Sequence, residues 1–187
     1  MLERLPWITQ ILLAVVAAVA TYYDIRFRRI PNWLTLPSVV VGFALSGLLP
    51  VGQHSPWGGL ANAAMGFALA LLVNFPLYLL HARGAGDVKL LAAIGALIGW
   101  RDWIAIFFIS SLLGGVLALV LMFGLGRVRQ TFSNTAHIIV ELVHFRAPRR
   151  LSEELDVRSS AAARLPQGAV IGLACCALLG LHALMSA

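Results

Sequence analysis

The sequence predicts an all-α, polytopic membrane protein: a bundle of six transmembrane helices, with its N-terminus outside and an amphipathic segment on the cytoplasmic side. Three observations lead there. Hydrophobic residues make up 60% of the 187-residue chain and charged residues only 12%, about half the share expected of a soluble domain. Apolar runs recur along the whole length, and mean hydropathy is +0.87. Basic residues gather in alternate loops. Such a chain follows the solvent logic of the bilayer, not of a soluble core. One membrane-embedded domain over residues 1–187 is the simplest organisation.

The spans follow in order. Six apolar runs cover roughly Pro6–Tyr23, Trp33–Leu49, Gly58–Leu80, Leu90–Trp100, Trp103–Gly126 and Gly168–Ser186. A membrane-crossing helix needs about 17–25 residues, and five runs meet that. The fourth has eleven residues and rises only about 16 Å against a hydrocarbon core of about 30 Å. The N-terminal "MLERLP" carries one base and one acid, and no small-residue cleavage site precedes the stretch after Tyr22. It is not a typical cleaved signal, so the first helix stays.

Loop charge sets the orientation. With the N-terminus outside, 12 of the 14 bases fall on inside loops, from Arg26 to Arg164, and only Arg4 and Arg101 fall outside. This is a strong positive-inside bias. The net charge of +6 therefore reports topology and a lipid partner, not nucleic acid. Both "DIRFRRIPN" and "HARGAGDVK" face the cytoplasm.

Gly95–Gly99 and Gly168–Gly172 have the GxxxG spacing that lets helix backbones approach closely. Asn74 and Pro76, inside the third span, read as an interhelical hydrogen bond and a kink. Cys175 and Cys176 are adjacent in an apolar run and read as small packing residues. Residues 127–164 form one long cytoplasmic connection. Within it, "SNTAHIIVELVHF" puts Ile138, Leu142 and Phe145 on one helical face, as in a helix lying on the membrane surface. His137, Glu141 and His144 share another face and could bind a metal, but a solvated polar stripe is the favoured reading and no metal site is expected. "LSEELDVRSS" follows as a flexible charged loop. The connection could dock substrate or a partner, or serve as a plain surface helix.

Two of the eight acidic residues, Asp24 and Asp87, abut cytoplasmic ends of spans. An ionisable residue at membrane depth is costly and is a functional candidate by default. A carboxylate at a helix C-terminus opposes the macrodipole, so Asp24 is not there for the helix. Otherwise the helix continues and Asp24 pairs with Arg28 one turn on. Asp87 reads as an N-cap, with Gly84 and Gly86 as turn residues. The short fourth span argues against that. Starting it at Gly84 gives 17 residues and about 25 Å, which draws Asp87 down to the interface or below. Irregular backbone at that depth is tolerated where it is buried in protein or lines a wet cavity.

If the two carboxylates meet, they cannot both ionise easily, and one keeps its proton. An ionised carboxylate can then take a proton from water while a protonated one donates to a peptide carbonyl. No metal, cofactor or covalent intermediate is needed. Gly84 and Gly86 would let an extended substrate backbone come close.

The segments "YYDIRFRRIPNWLTLP" and "GAGDVKLLAAIGALIGW" resemble the two catalytic segments of the aspartic prepilin peptidases, the GxGD-type membrane proteases. In that family, an Asp at the cytoplasmic end of an early helix precedes Ile-Pro-Asn, and a second Asp lies in Gly-x-Gly-Asp-x-Lys. Here these are Asp24, Ile30-Pro31-Asn32, and Gly84-Ala85-Gly86-Asp87-Val88-Lys89. "LPQGAVIGLA", from Leu165 to Ala174, is similar to the Pro-x-Gly element that opens the family's last helix. The resemblance implies removal of a short basic leader from type IV prepilins at the cytoplasmic face of the bacterial inner membrane. Asp24 and Asp87 would be the catalytic pair, and Gly84, Gly86 and Lys89 the active-site loop. Lys89, Arg26, Arg28 and Arg29 would hold topology and lipid headgroups, since the leader is itself basic. Prepilins would be the substrate, and pilus or secretion assembly components candidate partners.

Larger bifunctional members carry an N-terminal cytoplasmic domain with paired Cys motifs and also N-methylate the new terminus. No CxxC is present here and only five residues precede the first span. The chain therefore resembles the short, peptidase-only type of the tight-adherence (Flp) pili, and methylation is not expected. Three other readings use or ignore the same acids: a presenilin- or signal-peptide-peptidase-like protease, a small proton-coupled transporter, and an assembly subunit without chemistry.

Overall fold

The computed structural model describes residues 6–49, 55–79, 83–124 and 167–186, and every element among them is helical. The elements are α1 (Trp7–Phe27), α2 (Asn32–Leu48), α3 (Pro56–Leu79), α4 (Ala85–Gly124) and α5 (Gln167–Ser186). The amphipathic segment, its His137, Glu141 and His144, and the charged loop after it lie outside the described residues.

Among the described residues, four helices are long and apolar enough to cross a membrane: Trp7–Phe27, Pro56–Leu79, Ala85–Val120 and Gln167–Leu184. Asn32–Leu48 is a shorter apolar helix. Large apolar side chains such as Leu72, Phe108, Leu112 and Leu184 stand on the outside. A water-soluble monomer rarely shows so much contiguous apolar surface. The protein is a helical membrane bundle.

Its centre is the first part of α4. Every residue from Leu90 to Gly99 is buried. This follows from a sequence apolar all round, which belongs in the middle of a bundle. Small residues let the neighbours close in. A Cβ at Gly42 of α2 would stand 2.8 Å from the Ala96 carbonyl carbon. Gly66 of α3 and Gly95 of α4 meet backbone to backbone. Gly168 and Gly172 of α5 likewise face α1, at Asp24 and Thr21. Both glycine pairs thus include close contacts, but Gly99 has another role.

Gly99 has φ 80° and ψ 176°, a region open to glycine alone. A Cβ there would also collide with the Asn62 side chain. The chain reverses at this point. Asp102 lies 3.8 Å from His182, near the end of α5. Gly114 lies beside Val170, near its start. Twelve residues (114 − 102, and 182 − 170), about 18 Å of helix, separate the contacts on each element. The second leg of α4 therefore runs antiparallel to α5. The sequence divides this stretch into the runs Leu90–Trp100 and Trp103–Gly126, and the structure also breaks it into two helical legs, at Gly99.

Helix ends also differ from expectation. α4 starts at Ala85, so Asp87 is not its N-cap but its third residue. α1 stops at Phe27 instead of continuing. Arg28 turns left-handed at φ 53° and returns its backbone N–H to the Asp24 carbonyl at 2.9 Å. Pro31, in extended conformation, then leads into α2. Cys175 is buried in the core and Cys176 is exposed.

Candidate active site

Asp24 and Asp87 arrive from elements far apart in the chain. Asp24 stands one turn before the end of α1 and is buried, only 8% exposed. Asp87 stands in the first turn of α4 and is half-buried. Their carboxylates lie within electrostatic reach of one another. Aromatic rings surround this end. Tyr23 packs edge-on to Trp33, with centroids 5.7 Å apart, and against Phe27 at 5.3 Å. Exposed Tyr22, Phe27 and Trp33 match the aromatic belt of a membrane interface.

The last helix holds Asp24. At the start of α5, the Gly168 N–H donates to Asp24 Oδ2 at 2.7 Å, and the Ala169 N–H donates to the same oxygen at 3.3 Å. These are two of the N–H groups that a helix start leaves without intrahelical partners. Gly168 is needed for the approach, because a Cβ would stand 2.9 Å from Asp24 Cβ. The start of α5 therefore belongs to the site through the backbone of Gly168 and Ala169.

The GAGD turn holds Asp87. The Asp87 carboxylate folds back on Gly84, where an added Cβ would lie 3.2 Å from Oδ2, the same reach-back that a third-position acid makes in a capping box. Gly84 is exposed. Gly86 turns its bare face to Ile30, and a Cβ there would lie 3.2 Å from the Ile30 Cβ. Lys89 is exposed and donates to Asn32 Oδ1 at 3.0 Å. Ile30-Pro31-Asn32 and Gly-x-Gly-Asp-x-Lys thus dock on each other at two points, one apolar and one polar.

Two residues had weaker signals in the sequence. Asn74 of α3 is fully buried and accepts a short hydrogen bond from Arg83 Nη1. Arg83 Nε also donates to Gln167 Oε1 at 3.3 Å. Burial pushes the Arg83 guanidinium below its ordinary value, and the charge of Asp87 opposes this. Sequence alone reads Arg83 as one more topology base and Asn74 as a generic interhelical bond. A polar residue deep in an apolar span was the available signal for Asn74; none existed for its partner. Asp102 and His182, both buried, meet near the far end of α5 from Gly168 and take no part in this site.

The sequence model of the type IV leader peptidase family matches residues 11–119. The prepilin leader peptidase/N-methyltransferase of Myxococcus xanthus is 28% identical over 142 residues, which cover 72% of this chain and 42% of the relative. The protein of that name from Xanthomonas campestris is 36% identical over 111 residues, 58% of this chain and 38% of the relative. The prepilin peptidase EppA of Methanothermobacter thermautotrophicus is 32% identical over 82 residues, 44% of this chain and 21% of its own. This chain spans about two fifths of the length of the first two relatives. No solved structure matches it. The matched region holds both aspartates, the Ile-Pro-Asn and the GAGD turn, and the chain belongs to the type IV leader peptidase family.

Proposed function

We propose that this protein is a membrane aspartic endopeptidase that removes the short basic leader from type IV prepilins of the Flp kind. The convergence of Asp24 and Asp87 at one end of the bundle, in a chain of this family, carries the reading. Six crossings with the N-terminus outside put that end at the cytoplasmic face of the inner membrane. Loop charge supports the orientation, and the reversal at Gly99 supports two crossings by α4.

In the proposed reaction, the ionised carboxylate of the pair takes a proton from water. That water attacks the scissile carbonyl, while the protonated carboxyl donates to the carbonyl oxygen. The tetrahedral intermediate collapses, and the departing amine takes a proton from the pair. The backbone N–H groups of Gly168 and Ala169 hold the Asp24 carboxylate in place, and the Asp87 carboxylate rests against Gly84. Gly84 is exposed and has no side chain to keep an extended substrate at a distance. Lys89 braces the loop through Asn32 and is not a leader-binding group.

Co-expression with a type IV prepilin, followed by the size of the pilin band, tests this. Asp24→Asn and Asp87→Asn should each abolish leader removal without loss of membrane insertion. Full processing by either variant would sink the paired-aspartate mechanism. Ion or solute flux by the purified protein, with no cleavage, would support a proton-coupled transporter instead.

A further inference from the structure

Arg83 is oriented unlike a topology base. A basic side chain that serves only the loop reaches out to headgroups and water. Arg83 reaches inward. Its guanidinium donates to Asn74 of α3 and to Gln167, the first residue of α5. Asn74 has no exposed surface, and its own amide nitrogen is engaged with the Ala70 carbonyl at 2.8 Å. The side-chain oxygen of Asn74 is therefore aimed at the arginine. The Arg83 backbone N–H closes back on the Leu77 carbonyl at 3.2 Å, which anchors the turn to the end of α3.

Arg83 and one of its partners, Gln167, each stand one residue from a group that meets an aspartate. Gln167 precedes Gly168, whose N–H donates to Asp24. Arg83 itself precedes Gly84, against which the Asp87 carboxylate folds back. Its charge also acts directly on Asp87. A planar fork of donors can serve two acceptors in fixed directions, which a lysine ammonium does less well.

We propose that Arg83 is the positioning residue of the aspartate pair: it ties α3, the GAGD turn and the start of α5 together and holds a positive charge beside Asp87. The role rests on the aspartic reading above for its catalytic meaning. The tie and the charge are measurable without substrate.

The test uses the full chain in membranes, with wild type, Arg83→Gln, Arg83→Lys and Gln167→Ala. The first readout is labelling of Asp87 by dicyclohexylcarbodiimide across pH, followed by mass spectrometry, since that reagent attacks protonated carboxyls. A neighbouring cation favours the ionised carboxylate. Arg83→Gln should therefore keep Asp87 reactive to a pH higher by about one unit, while Arg83→Lys, with its charge kept, should follow wild type. The second readout is prepilin cleavage. Arg83→Lys and Gln167→Ala should each lose roughly tenfold or more in rate, the scale of one lost charged hydrogen bond. Gln167→Ala should leave the Asp87 labelling unmoved, and it preserves the test if Arg83→Gln does not fold. Wild-type labelling in Arg83→Gln, or wild-type cleavage by both Arg83→Lys and Gln167→Ala, would overturn the proposal. If wild type labels as expected but cleaves no prepilin, the peptidase reading fails, and the labelling shift alone decides whether Arg83 acts on Asp87.

Discussion

Gly168→Ala probes how the last helix serves Asp24. The added Cβ would stand 2.9 Å from Asp24 Cβ and 3.0 Å from its Oδ2. Carbon atoms in contact keep about 3.5–4.0 Å. Either α5 retreats or Asp24 turns, by roughly 0.6–1 Å on that contact distance. Such a movement opens the 2.7 Å bond from the Gly168 N–H and loses the 3.3 Å bond from Ala169. A hydrogen bond to a charged group is worth about 1.5–3 kcal/mol. If that stabilisation is carried into the transition state, kcat/KM falls roughly 10- to 150-fold. The assay is the initial rate of leader removal by detergent-purified full-length protein. Gly172→Ala is the control, one turn along the same face. Its Cβ would run into the Thr21 hydroxyl, a side chain that can rotate away. It should cost thermal stability, about 1–3 kcal/mol from overpacking, and leave the rate near wild type. A wild-type rate for Gly168→Ala, or equal rate losses in the two variants, would refute the role given to the α5 N-terminus.

Three further substitutions separate stability from activity. Gly99→Ala forces a Cβ into a left-handed residue occupied on its open side by Asn62, so Tm should drop by the equivalent of about 1–3 kcal/mol or more; an unchanged Tm would mean that the reversal does not depend on glycine. His182→Ala leaves the buried Asp102 without its imidazole neighbour at 3.8 Å. It should cost about 1–3 kcal/mol in thermal unfolding, with unchanged cleavage per folded molecule; lost cleavage at full stability would tie this remote pair to the chemistry. Lys89→Ala removes an exposed hydrogen bond to Asn32 and should cost only about 0.5–1.5 kcal/mol, with KM unchanged. A large rise in KM would instead make Lys89 a substrate contact.

Much of this site was legible along the chain. Asp24 and Asp87 stand out because charge is rare in so apolar a sequence. The length deficit of the fourth run predicts that the helix starts near Gly84, and it starts at Ala85. The N-cap reading of Asp87 fails for the same reason, since the helix is already under way when the chain reaches it. Gly86 reads as a turn residue, but it is Ile30, 56 positions earlier, that fills the space beside it. No local pattern holds that information. The same is true of Asp102 and His182. They lie 80 positions apart and meet because the second leg of α4 runs back along α5.

The sequence by itself determined the solvent, the helical class, most of the apolar elements and the two carboxylates. These depend on hydropathy, length and local backbone preference, which act between near neighbours and the surrounding medium. The tertiary structure decided what touches the carboxylates. It brought the N–H groups of Gly168 and Ala169 to Asp24, turned Arg83 inward to Asn74 and Gln167, and reversed α4 at Gly99. Those contacts join positions up to 145 residues apart. They follow from which small residues let helix backbones approach, a property of paired surfaces that neither surface carries alone.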